Sequence, residues 1–293
     1  MNSRKQYIRV FQMRGIPFLI GLIIIGQSCI SWPADVDAIV FEASDLHFRG
    51  EIDQAMKKFE KALLLSPENE YAHNQLGILY AKKDRFEEAY KEFARAASLD
   101  GKNTFALKWM GILELKRENV EKAFEIFERI INIDPQNADA YYLLGTVYNF
   151  RHHPSMAIEY LKKARDVDSE EAITHFRLGK AFHSLGMTKN ALLEYQRAII
   201  IQPSYVQAMN EIGWIYYNEG ETSKAVDQWH QSLTVDKNNR EASLNLARTY
   251  NEMAFHAYKS GNVKEATRCW QKTLSVNPGN KAAKYYLDRS GGK

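Results

Sequence analysis

The side chains best suited to chemistry in this chain are its histidines and cysteines, and their spacing limits what they could do. His152 and His153 are adjacent. Neighbours on a chain point to different sides, and a bound metal would need further ligands. Pro154 follows them, and proline favours the first turn of a helix, so the pair reads as a polar turn at a helix start. His175 and His183 stand eight residues apart beside Arg177 and Lys180, and a packed or solvated role is expected for both. Cys29 and Cys269 are the only cysteines, which is not a disulfide framework. Cys269, next to Trp270, reads as a small, partly buried apolar residue. The sequence contains no Gly-rich phosphate loop, no nucleophile elbow and no His-Glu-x-x-His pair. No catalytic residue, metal ligand or cofactor site is therefore assigned, no small-molecule substrate is evident, and the chain reads as a non-enzyme.

The elements that would position any functional side chain are helical. The 293 residues are 45% apolar and 26% charged, with only 7 Pro, a composition that favours helix. The formal charge of +3 is unevenly placed: residues 1–28 carry Arg4, Lys5, Arg9 and Arg14 and no acid. The remainder is close to neutral, with no basic character to draw it to nucleic acid. After the basic stretch comes an apolar run, Ile16 to Gly26. It is shorter than the roughly 20 residues a spanning helix needs and suits a signal-peptide core. Gly26 and Ser28 form a small-x-small pattern before Cys29. Residues 1–28 thus read as a signal peptide or membrane anchor, and 29–35 as a short linker. Three forms stay open: lipidation at Cys29, secretion, or an uncleaved anchor. All three put the body across or against a membrane, on the exported, extracytoplasmic side, and the lipidated and anchored forms keep membrane contact through the N-terminus.

A period of 34 residues runs through the body. Gly77, Gly111, Gly145, Gly179 and Gly213 follow it, as do Ala55, Ala89, Ala123, Ala157, Ala191 and Ala225. So do the large residues Phe59, Phe93, Phe127, Leu161, Tyr195 and Trp229. A glycine and an alanine column predict two helices crossing closely in each unit, with the large column filling the space between helices. The units are 36–69, 70–103, 104–137, 138–171, 172–205, 206–239 and 240–280. The last is seven residues too long. Seven residues is close to two turns, so one long helix from about residue 241 to 259 is predicted, then a capping helix and tail over 281–293. Ala43 in the glycine column, and Glu114 where other units have Tyr80 or Tyr148, depart from the pattern.

Leu76-Gly77-Ile78-Leu79-Tyr80 followed by Ala89 and Phe93, and Leu144-Gly145-Thr146-Val147-Tyr148 followed by Ala157 and Leu161, resemble the tetratricopeptide signature at its 34-residue period. The resemblance covers residues 36 to about 290. It implies an all-α, right-handed superhelical solenoid of about seven helix-turn-helix repeats plus a C-terminal cap, working as a protein-binding scaffold. It also implies that the first helix of each repeat lines a concave groove. The groove residues so implied are Tyr71 and Asn74, Phe105 and Lys108, Tyr142, Phe176 and Lys180, and Asn210, Trp214 and Tyr217. Aromatic anchors among amide and cationic side chains suit peptide capture. The carboxylate clamp of some family members is not matched, since repeats two to four put Asn74, Ile78, Trp109, Asp139 and Leu143 at its positions. The expected partners are protein segments, held for assembly of envelope, secretion or pilus-type complexes. The alternative is an adaptor that brings an envelope protease or hydrolase to its substrates.

Overall fold

Between the turns, apolar side chains recur at the three- and four-residue spacing of a helix, and few Gly or Pro interrupt them. The computed structural model describes residues 34–290, and among these it holds fifteen helices and no strand. They fall into two compact units, divided along the chain between Ala140 and Tyr141. The first holds α1 (Ala34–Phe48), α2 (Ile52–Leu65), α3 (Glu70–Lys82), α4 (Phe86–Leu99), α5 (Thr104–Lys116) and α6 (Val120–Ile133). Helix α7 (Ala138–Phe150) starts at the junction. The second continues with α8 (Pro154–Val167), α9 (Ala172–Ser184), α10 (Thr188–Ile201), α11 (Val206–Asn218), α12 (Thr222–Val235), α13 (Arg240–Lys259), α14 (Val263–Val276) and α15 (Lys281–Ser290). Helix α1 starts two residues before the segment 29–35 expected as linker ends, because no Gly or Pro lies between 34 and 48 to stop it.

Within each unit, consecutive helices pack as pairs, and five of the pairs repeat one contact. A Cβ built on Gly77 would meet the Phe93 ring at 2.8 Å, on Gly111 Phe127 at 2.3 Å, and on Gly145 Leu161 at 2.5 Å. On Gly179 it would meet Tyr195 at 2.6 Å, and on Gly213 Trp229 at 2.4 Å. The glycine is small because the large residue sixteen positions on occupies its space. Phe59, Phe93, Phe127, Leu161, Tyr195 and Trp229 are fully buried there, as is the whole alanine column from Ala55 to Ala225. Each large side chain contributes about 1.5–3 kcal/mol by leaving water.

The turn inside each pair has its own column. Gly50, Asp84, Glu118, His152, Gly186, Gly220 and Gly261 all have positive φ, between 58° and 81°. The last is displaced from the period by the seven extra residues of the twenty-residue α13. His152 thus closes a turn, with Pro154 in the first turn of α8. Helix starts form another column. The Oδ1 atoms of Asn69, Asn103, Asn137 and Asn239 accept hydrogen bonds from the backbone N–H three residues on, at 2.8 to 3.1 Å, capping a free helical donor.

The departures from pattern have local explanations. Glu114 is buried, and its carboxylate accepts from Asn119 Nδ2 at 2.7 Å and Arg117 Nη1 at 3.1 Å. Arg117 also lies 4.5 Å from the Tyr90 ring centroid and pairs with Glu87 at 2.6 Å, so the charge is compensated. Tyr286 of α15 stacks on Trp270 at 5.1 Å, closing the last pair. Cys269 is buried and its Sγ lies 3.6 Å from Glu265 Oε1. Burial, then the Glu265 charge, pushes its thiol up, which keeps it an inert packing residue.

Candidate partner-binding faces

The first helices of successive pairs meet through one offset. In the first unit Lys108 on α5 donates to Asp139, 31 residues on, at 2.6 Å. In the second, Lys180 on α9 donates to Glu211 at 3.0 Å and Asn210 on α11 to Glu241 at 3.1 Å, both again 31 residues apart. In each case one side chain of a first helix reaches one side chain of the next first helix in the same unit.

In the first unit, Tyr71 is half exposed and its hydroxyl lies 3.3 Å from Ser44 Oγ. Asn74 is buried, and its Oδ1 has no hydrogen-bond partner. Phe105 is half buried, edge-on to Phe93 at 6.3 Å, while Trp109 stacks flat on Phe93 at 5.6 Å. Lys82 hydrogen-bonds His47. Burial, then the Lys82 charge, holds the His47 imidazole below the ordinary histidine range. Cations and aromatics here are tied to neighbours.

In the second unit, Tyr142 is half buried, and its hydroxyl has no hydrogen-bond partner. Phe176 lies between Tyr195 at 5.7 Å and Tyr205 at 5.1 Å. Trp214 stands half buried, edge-on to Trp229 at 5.8 Å and to Tyr217 at 5.5 Å. The Tyr217 hydroxyl donates to Glu252. That bond first, then burial and the Glu252 charge, raises its pKa. Asn210, expected in the groove, is only 2% exposed. Its Nδ2 is directed to Glu241 and Asn239, and its carbonyl accepts from Trp229 Nε1 at 3.4 Å. Its Oδ1 is buried without a partner.

His175 is buried, with Nδ1 2.6 Å from Glu194 Oε2 and Nε2 3.2 Å from the Ser169 carbonyl. The same triple occurs three periods earlier as His73, Glu92 and Pro67, at 2.6 and 3.0 Å. These histidines lock the second helix of a pair to the preceding turn. Among the described residues no cluster of three or more His, Cys, Asp or Glu is placed to hold a metal. Nor is any described helix long and apolar enough to cross a membrane. The leader 1–28, with its expected signal or anchor, and Cys29 lie outside the described residues.

Sequence reasoning did not read Arg177 as a site residue, while Arg248 falls at an inward-facing position of the last repeat without an assigned role. Arg248 stands one period after Trp214, and its guanidinium lies 5.4 Å from the Trp214 ring centroid. The period that located Trp214 also pointed to it.

Comparison with known proteins follows the same lines. Tetratricopeptide-repeat family models match residues 45–84, 71–103 and 126–159. No curated protein sequence matches the chain. Among solved structures, it is similar to the C-terminal part of a TPR repeat-containing protein from Cytophaga hutchinsonii, with a TM-score of 0.67 and 15% identity over 85% of this chain and 99% of that one. A tetratricopeptide repeat protein from Parabacteroides merdae gives a TM-score of 0.62 and 15% identity over 89% of this chain and 100% of that one. YrrB, described as a TPR protein with an unusual peptide-binding site, gives 0.50 and 22% identity over 63% of this chain and 95% of that one. The recurring contacts, the family matches and the fold agree: this chain carries tetratricopeptide repeats and has their fold.

Proposed function

We propose that this protein is a non-enzymatic scaffold that captures an extended segment of a partner protein on the first-helix face of its second unit. The observation that carries the reading is the aromatic group of Trp214 and Tyr217. These two rings are half buried, edge-on to each other and supported from below by fully buried Trp229. Rigid, partly exposed aromatics on a packed base are the usual anchors of protein interfaces. The peptide-binding site named for YrrB supports the choice of a peptide over a globular ligand. The basic leader and short apolar run support an exported or membrane-attached place for the protein, with a role in assembling envelope, secretion or pilus-type complexes. Mass spectrometry of the mature N-terminus tests the location: processing before Cys29, lipid on Cys29, or an intact leader in the membrane fraction each agree with it. A soluble cytosolic protein that keeps its leader would refute it.

Capture is tested by selecting displayed peptides on the full chain and then measuring the selected peptide on variants. Trp214→Ala and Tyr217→Ala should each weaken it by about tenfold or more, roughly 1.4 kcal/mol, while the far-ultraviolet helix signal is retained. Retained affinity in both variants would move the site elsewhere.

A further inference from the structure

The ion pairs around this aromatic group are incomplete. Lys180 pairs with Glu211, while Glu241 accepts from neutral Asn210 and Glu252 from neutral Tyr217. Two guanidinium groups form no ion pair among the described residues. Arg177 on α9 forms no ion pair with a described residue, and its Nε is buried with no hydrogen-bond partner. Thr146 stands 31 residues before it, the offset of the Lys180–Glu211 pair, and its buried hydroxyl lacks a partner too. Arg248 on α13 is exposed and lies over the Trp214 ring without a carboxylate partner among the described residues. Resting a guanidinium on an aromatic face holds it in place while leaving its N–H edge available. Arg177 is only partly buried, so the rest of its guanidinium can meet an acceptor on a partner.

Resting on the capture reading above, we infer that the partner segment is acidic, with two carboxylate side chains that meet Arg177 and Arg248 and an apolar or aromatic residue between them at Trp214. Helices α9 and α13 are separated by α11 in the run of first helices, so the two arginines lie two helix spacings apart. At about 8–10 Å per spacing, that is about 16–20 Å, which an extended chain covers in about five or six residues. One chain terminus cannot supply both carboxylates, so at least one is a side chain, and both are proposed as side chains.

The test uses the full chain and fluorescent peptides, acetylated and amidated, with two glutamates and a central phenylalanine. Peptides whose glutamates are about five or six positions apart should bind tightest. Replacing either Glu by Gln, or Arg177 or Arg248 by Gln in the protein, should weaken binding by about fivefold or more. The Gln peptide should be nearly blind to the matching Arg→Gln variant. Affinity should fall as salt rises. Equal binding of Glu and Gln peptides, with loss on Trp214→Ala, would overturn this inference and leave the capture reading standing. Absence of binding by any peptide, including those selected by display, would overturn both. Equal binding of a one-Glu peptide with a free C-terminal carboxylate, or of single-stranded DNA through the same arginines, would also overturn it.

Discussion

The first-helix faces of the two units are cut from one 34-residue template and differ in how their charges are spent. In the first unit Lys108 is paired with Asp139, Lys116 lies 3.7 Å from Asp84, and Lys82 is bonded to His47. In the second, Lys180 is paired but Arg177 and Arg248 are not. The aromatics differ likewise. Trp109 lies flat on Phe93, whereas Trp214 stands edge-on to Trp229. A flat stack spends a ring face on the core, and an edge contact leaves more of the ring free. The first-helix face, through different positions of the repeat, thus serves internal stability in one unit and leaves recognition groups available in the other.

The comparison breaks most visibly at its base. Trp229→Ala removes the support of Trp214 and Tyr217 and should cost about 3–5 kcal/mol. Because solenoid repeats interact with their neighbours, hydrogen exchange should quicken in α11 to α13 well before it does in α3 to α5. Uniform loss of protection would mean that the aromatic column does not act locally. Trp214→Ala should cost less, since Trp214 is only half buried.

Next in size, Glu114→Ala in the first unit should cost about 1–3 kcal/mol, seen as a lower melting temperature. It leaves Asn119 and Arg117 without their acceptor. A loss below about 0.5 kcal/mol would show that water replaces the carboxylate freely.

His152→Gly at the turn of the α7–α8 pair should raise stability by about 1 kcal/mol, because a side chain at φ 58° is strained. Gly186→Ala at the next turn, with φ 71°, should lower it by a similar amount. A null result in both would remove the turn column from the account of stability.

The smallest expected effect is a pH dependence confined to the first unit. His47 has a lowered pKa through burial and Lys82, so the folded state resists protonation there. Its destabilisation is absent above the ordinary histidine value near 6.5 and grows as pH falls below it, since the unfolded chain then binds the proton more readily. His47→Gln should therefore flatten part of the acid-side fall in melting temperature. An unchanged slope would assign that fall to other groups.

Much of this architecture is legible in the sequence because a repeat writes each contact several times. The glycine, alanine and large-residue columns predicted which positions cross and which fill, and the structure shows why: Gly111 and Phe127 share one space, as do Gly213 and Trp229. Two further columns were equally readable and were passed over. Asn69, Asn103, Asn137 and Asn239 cap first helices, and the His73–Glu92 contact recurs as His175–Glu194. The candidate face was legible only as a set of positions. Asn74 and Asn210 stand where an amide would reach a partner, yet both are buried.

The sequence by itself determined the helix pairs, their turns and the long α13, because each follows from spacing along one chain. Tertiary structure alone decided which of those side chains are already engaged. Lys108 finds Asp139 and Asn210 finds Glu241, while Arg177 finds no carboxylate among the described residues. Those outcomes depend on the rotation and separation of adjacent helices to within an ångström or so, the range over which a hydrogen bond is made or lost. Residue spacing does not carry that information; the packing of buried side chains sets it.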